Sequence, residues 1–223
     1  MNQLIVSASL LSADPLRLGE ELDSAEMSDV DWHHVDVMDG HFVPNLSFGL
    51  PLIQALKAKT KKPLDVHIMV SNPDDVAIKY CEAGSSYLTF HHEASSDPMK
   101  LIQKIKATGT KIGMALKPGT DISVLSPFLA DLDLINVMSV EPGFSGQSFQ
   151  PAAKERVRTL SEHIRKIGSP ALIQVDGGVT QVLASELYAA GARVMVVGHY
   201  FYRAGDRKKA VGDLHAIAKK AET

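Results

Sequence analysis

Residues 63–84, PLDVHIMVSNPDDVAIKYCEAG, carry two different periodicities in succession. Pro63–Val70 is a short apolar run in which Asp65 and His67 stand two apart, the spacing that puts side chains on one face of a strand. Asn72-Pro73 then opens a helical stretch over 73–83, with Asp74 and Asp75 in its first turn and Gly84 just past its end. The segment therefore reads as one strand followed by one helix.

The same reading repeats on both sides of it. Strands are expected at Leu4–Ser9, Trp32–Met38, Pro63–Val70, Tyr87–His91, Lys111–Leu116, Leu134–Val140, Ala171–Asp176 and Arg193–Gly198. Helical patterns lie between them, at about 15–28, 47–59, 73–83, 97–108, 121–130, 150–167, 180–190 and 206–221. Thr180 precedes the apolar positions Val182, Leu183 and Leu187 as a cap, and Gly109, Gly168 and Gly191 follow helix ends. Strands alternating with helices imply a parallel sheet, and eight such pairs imply a closed (β/α)8 barrel of α/β class. An open doubly wound sheet is the competing arrangement. No low-complexity linker divides the chain, so residues 1–223 are expected to form a single barrel domain.

Bulk properties narrow the function classes. The formal charge is −3, with acids and bases intermixed, so neither a nucleic-acid footprint nor a polybasic membrane patch is present. Cys81 is the one cysteine, which rules out an intrachain disulfide and a zinc–thiolate cluster and fits a reducing cytoplasm. Leu4–Leu11 is apolar but interrupted by Ser7 and Ser9, and reads as a strand and not as a signal peptide. No run reaches transmembrane length.

In such a barrel, chemistry collects at the C-terminal ends of the strands. The second strand carries His34 and Asp36 on one face, the third carries His67 near its end, and the seventh ends on Asp176. Converging on the barrel axis, these four would make a mixed nitrogen and oxygen site suited to Zn²⁺, Mn²⁺, Fe²⁺ or Co²⁺. Unpaired buried carboxylates are costly, and a cation among them removes that cost. Taken singly, His33, His91, His92 and Asp65 read as hydrogen-bonded core or capping residues.

Glycines suggest where an anion would sit. Gly143-Phe144-Ser145-Gly146 follows the sixth strand, Gly177-Gly178 the seventh, and Gly198-His199 the eighth. Glycine lets backbone N–H groups approach an anion, and barrels often bind phosphate after strands seven and eight. Met38, Met69 and Met138 occupy corresponding strand ends, either as core filling or as an apolar lid over a developing anion.

Four stretches in this order closely resemble the ribulose-phosphate 3-epimerase family: His34–Asn45, Asp65–Val70, Val140–Gln147 and Val175–Val179. The resemblance runs from Ser7-Ala8-Ser9 to Gly198. It implies a barrel of the ribulose-phosphate-binding type, a homo-oligomer, and interconversion of D-ribulose 5-phosphate with D-xylulose 5-phosphate. It also implies one divalent metal, Zn²⁺ first, held by His34, Asp36, His67 and Asp176. Asp36 and Asp176 are then the two acid/base residues. Ser9, His67 and the three methionines are substrate contacts, and the glycine loops, with Phe144, Ser145 and His199, cradle the phosphate. Ser145 stands where most members have glycine, and His199 where most have serine.

The chemistry fits that pairing. The C3 proton of a 2-ketose is weakly acidic, so its removal needs a carboxylate within reach and positive charge near the enediolate oxygens. Inversion needs a second acid on the other face. A six-carbon substrate, as in an allulose-6-phosphate 3-epimerase, would use the same motifs. Hexulose-phosphate synthases and orotidine-phosphate decarboxylases place a lysine two residues after the strand-2 aspartate, where this chain has Met38. A non-catalytic sugar-phosphate binder would need no opposed carboxylates.

Overall fold

A computed structural model describes residues 3–221. Eight strands follow one another as β1 (Ile5–Ser9), β2 (Trp32–Met38), β3 (Leu64–Met69), β4 (Tyr87–His91), β5 (Lys111–Leu116), β6 (Leu134–Met138), β7 (Leu172–Asp176) and β8 (Val194–Val197). All are parallel and pair in sequence order, and β1 closes the barrel against β8. The helices are α1 (Leu18–Met27), α2 (Leu50–Lys59), α3 (Pro73–Glu82), α4 (Pro98–Ala107), α5 (Ala152–Ile167), α6 (Gln181–Ala190), α7 (His199–Tyr202) and α8 (Arg207–Lys220). The closed barrel is the expected arrangement, and the open sheet is excluded.

Strand alternation sorts the side chains into two populations. Val35 and Val37 of β2, Val66 and Ile68 of β3, and Leu88 and Phe90 of β4 point outward into one continuous core beneath the helices. α5 contributes Ala153, Val157 and Leu160, spaced four and then three residues apart, so that one stripe faces the sheet. Burial of a Val or Leu of this kind contributes about 1.5–3 kcal/mol. Gly168, at φ 67°, ends α5 in the left-handed conformation that glycine adopts without a Cβ clash.

The inward residues change character along the barrel. At the N-terminal ends of the strands, Trp32, Leu134 and Val194 form a separate apolar cluster, packed by Ile5, Tyr87 and Leu172. The Trp32 and Tyr87 rings stack there with centroids 4.4 Å apart. Above this plug the interior becomes polar, with Ser7, His34, Asp65, His67, Thr89, Asn136 and Gln174 all fully buried.

One crossover departs from the expected helices, and one short helix is added after β8. The stretch at 121–130 is a short 3₁₀ turn, Ile122–Leu125, and not an α-helix. Pro127 lies inside that stretch, lacks an N–H and obstructs the preceding turn, so a full helix does not form. After β8 the chain makes the four-residue α7 before α8. Of the anticipated caps, Thr180 accepts a hydrogen bond from the Leu183 N–H at 3.5 Å, while Asn72 makes no side-chain cap bond. Cys81 is buried and unpaired. Among the described residues, no helix is long and apolar enough to cross a membrane.

Candidate active site

Register brings the four expected residues to one point. Asp36 on β2 lies opposite His67 on β3, and Ser9 on β1 lies opposite His34. Asp176 ends β7 beside Met138 of β6. One donor atom from each of His34, Asp36, His67 and Asp176 lies within 4.8 Å of the others. The Asp36 carboxylate approaches His34 Nε2 at 3.1 Å and His67 Nδ1 at 3.2 Å through one oxygen. Its other oxygen accepts a hydrogen bond from Ser9 Oγ at 2.8 Å. Asp176 Oδ2 stands 3.6 Å from the same two nitrogens. Both imidazoles are fully buried, while Asp176 keeps 14 % of its side chain exposed.

The two carboxyls and the two imidazoles shift one another's hold on protons. Burial opposes charge on Asp36, yet His34 and His67 outweigh it and hold the carboxyl below its usual range. Burial likewise opposes ionisation of Asp176, and the two imidazoles again prevail. Burial disfavours a charged His34, but Asp36 and Asp65 raise it well above the ordinary imidazole value. His67 is raised by Asp176 and Asp36 against the same penalty. Among the described residues, none of the ion pairs of Asp36 or Asp176 is to lysine or arginine. Two carboxylates and two imidazoles converging on one point are a donor set that suits a divalent cation.

Two residues that read as core polar groups are indeed hydrogen-bonded core residues, and their partners are members of this cluster. Asp65 Oδ2 lies 2.7 Å from His34 Nδ1 and accepts from Ser7 Oγ at 3.0 Å and Gln174 Nε2 at 2.6 Å. His91 meets His67 on its far side. Burial first, with His67 also opposing its charge, pushes His91 down to about 4. His33 instead pairs with Glu26 at the other end of β2, away from the cluster. His92 Nδ1 is buried without a partner.

Above the carboxylates opens a cavity of about 770 Å³. Ser9, Asp36 and Asp176 line its floor, and Met38, Met69 and Met138 also line it. Met38 and Met69 pack with Val43 in a small apolar cluster of their own. Gly143, Phe144, Ser145 and Gly146 bound the cavity from the β6–α5 loop; Gly177, Gly178, Gly198 and His199 bound it from the last two strand ends. Gly178 has φ +61°, and a Cβ there would stand 2.7 Å from Phe149 N, so only glycine lets these two loops meet. A Cβ on Gly198 would strike Ser12 Oγ. Beyond His199, Arg203 and Lys209 reach the rim, Lys209 paired with Asp213 at 2.6 Å, a feature that strand-end reading did not reach because both cations lie after α7.

Comparison with known proteins agrees with this geometry. The profile of the Ribulose-phosphate 3 epimerase family matches residues 5–202. The chain belongs to that family. It is 41% identical over 217 residues to "Ribulose-phosphate 3-epimerase" of Mycobacterium bovis, covering 97% of this chain and 94% of that protein. It is 41% identical over 213 residues to the protein of the same name from Bacillus subtilis, covering 94% of this chain and 97% of that one. Among solved structures, 3-hexulose-6-phosphate synthase from Salmonella typhimurium aligns with a TM-score of 0.69 at 19% identity, over 97% of this chain and 99% of that chain. At that identity the likeness speaks for the barrel alone.

Proposed function

We propose that the chain catalyses 3-epimerisation of a ketose phosphate, interconverting D-ribulose 5-phosphate and D-xylulose 5-phosphate. The observation that carries this reading is the approach of Asp36 and Asp176, from β2 and β7, to one point on the floor of the cavity. Family membership and the name shared by its relatives supply the substrate.

His34, Asp36, His67 and Asp176 would hold one divalent cation, Zn²⁺ first by the balance of two imidazoles and two carboxylates. Bound there, it would supply positive charge to the C2 and C3 oxygens as the enediolate forms. The ionised carboxylate of one aspartate takes the C3 proton. The carboxyl of the other, which would take up a proton against the pull of the two imidazoles, returns one to the opposite face. The two carboxyls differ in surroundings: Asp36 carries the Ser9 hydrogen bond, whereas Asp176 is more open to the cavity. Such a difference separates the affinities of paired acids for one shared proton. Met38, Met69 and Met138 exclude water above the reacting carbons. Backbone N–H groups around Gly177-Gly178 and Gly198-His199 hold the phosphate.

Asp176→Asn tests the two-base scheme. NMR of D-ribulose 5-phosphate in D₂O is expected to show no net epimerisation, with solvent deuterium still entering C3 of one epimer. Near-normal turnover by this variant would sink the scheme. D-allulose 6-phosphate as a parallel substrate reports whether one more carbon is accepted.

A further inference from the structure

The two imidazoles of the cluster face it with different nitrogens. His34 offers Nε2 and gives Nδ1 to Asp65. His67 offers Nδ1 and turns Nε2 outward, 3.0 Å from Nε2 of His91. A nitrogen–nitrogen hydrogen bond holds one proton, so one ring donates and the other accepts. The choice is made one step further out. His91 Nδ1 lies 3.2 Å from Glu93 Oε2, and an ionised carboxylate only accepts. The His91 proton therefore sits on Nδ1, and its Nε2 presents a lone pair to His67. The shared proton then belongs to His67 Nε2, and a neutral His67 keeps its lone pair on Nδ1, facing Asp36 and Asp176.

Glu93 is itself held. Its Oε1 accepts from the Lys117 backbone N–H at 2.8 Å and from Thr120 Oγ1 in the loop after β5. The His91 ring cannot turn to change partners. It is fully buried, stacked on His67 at 5.0 Å and packed against Phe42 at 4.8 Å.

We infer that Glu93, acting through His91, is a positioning residue that sets the tautomer of His67 and leaves Nδ1 free to bind a cation. The inference rests on the reading of the four-residue cluster as a metal site. It makes the two imidazole ligands unequal. His34 is oriented by a carboxylate in direct contact, whereas His67 is oriented from two residues away, by a side chain 21 % exposed outside the barrel floor.

The test uses full-length protein, histidine-labelled with ¹⁵N, stripped of metal and titrated with Zn²⁺. In the parent, ¹⁵N–¹H correlation is expected to show His91 protonated at Nδ1 and, once Zn²⁺ is bound, His67 protonated at Nε2 only. Glu93→Ala is expected to lower Zn²⁺ affinity by about 10- to 100-fold, the usual effect of losing an outer partner of a metal ligand. Thr120→Val removes a loop contact of Glu93 but leaves the Glu93–His91 pair, and is expected to bind Zn²⁺ as the parent does. Glu93→Ala binding like the parent, or His91 protonated at Nε2 in the parent, would overturn the inference alone. Failure of the parent itself to bind Zn²⁺ would overturn the metal reading and the inference together. The parent's tautomers settle the direction of the chain even where a variant folds poorly.

Discussion

Asp39, one residue past the end of β2, accepts four hydrogen bonds. Oδ1 takes the backbone N–H groups of His41 at 2.8 Å and Phe42 at 2.9 Å; Oδ2 takes the Ser71 N–H at 2.7 Å and its hydroxyl at 2.8 Å. The carboxylate thereby ties the loop after β2 to the loop after β3 and seats Phe42 over His91. Burial pushes the carboxyl up, but these donors outweigh it and bring it to about 2. The folded value is lower than the unfolded value of about 3.9, so the stabilisation is complete above that pH and is lost as pH falls through the folded value. Asparagine cannot accept all four bonds. Asp39 is only partly buried, so Asp39→Asn is expected to cost about 0.5–1.5 kcal/mol at pH 7 and to flatten the loss of stability between about pH 4 and 2. Denaturant melts at pH 7 and pH 3 check both; an unchanged acid limb would contradict the clamp. At this scale the sequence was legible where period-two spacing alone decides. His34 and Asp36 share a face for that reason, and His67 and Asp176 stand at strand ends. The partners of Asp65, His91 and Glu93 depend on cross-strand register and ring orientation, which no local pattern encodes.

Among the elements, the loops after β6 and β7 hold together the side of the cavity proposed for the phosphate. A Cβ on Gly178 would stand 2.7 Å from Phe149 N and 2.9 Å from the Gln147 carbonyl oxygen, so the two loops approach each other closely there. Asn45 Nδ2 donates to the Gly143 carbonyl at 3.0 Å and joins the loop after β2 to the same group. An alanine at 178 would meet both a left-handed backbone and a filled space, with a strain of about 1–3 kcal/mol. Gly178→Ala is expected to raise KM for the sugar phosphate more than it lowers kcat, because it displaces the binding loop and leaves the carboxylates in place. Steady-state kinetics decide it, and a loss confined to kcat would remove the loop from phosphate binding. The elements themselves were mostly readable. β2, β4 and β5 span the residues that periodicity indicates, and the other strands lose a residue or two at their ends. The fifth crossover misled because Ile122, Val124 and Leu125 mimic a helical stripe while Pro127 prevents one.

For the molecule as a whole, the buried charges couple the cluster to folding. A cation bound only by the folded chain stabilises it by about 2.7 kcal/mol at a hundred times its dissociation constant. In a chain of this size that corresponds to about 5–10 °C in Tm. Prolonged chelation is therefore expected to lower Tm by this order and abolish activity, with Zn²⁺ restoring both. Elemental analysis must track the recovery, and full activity in a demonstrably metal-free sample would end the metal reading. His67→Ala is expected to lose most of the Zn²⁺-dependent Tm increase.

The stacked Trp32 and Tyr87 rings have a kinetic meaning. They cork the barrel at the end away from the chemistry, with Trp32 7% exposed and Leu134 and Val194 wholly covered. The cavity lies at the opposite end of the barrel, bounded by the β6–α5 loop. Under the proposed reaction both epimers occupy that one cavity in turn, and neither can enter while the other is docked. Traffic through the protein is one molecule at a time and reversible, and net flow runs toward the ratio of the two sugars that their equilibrium constant fixes.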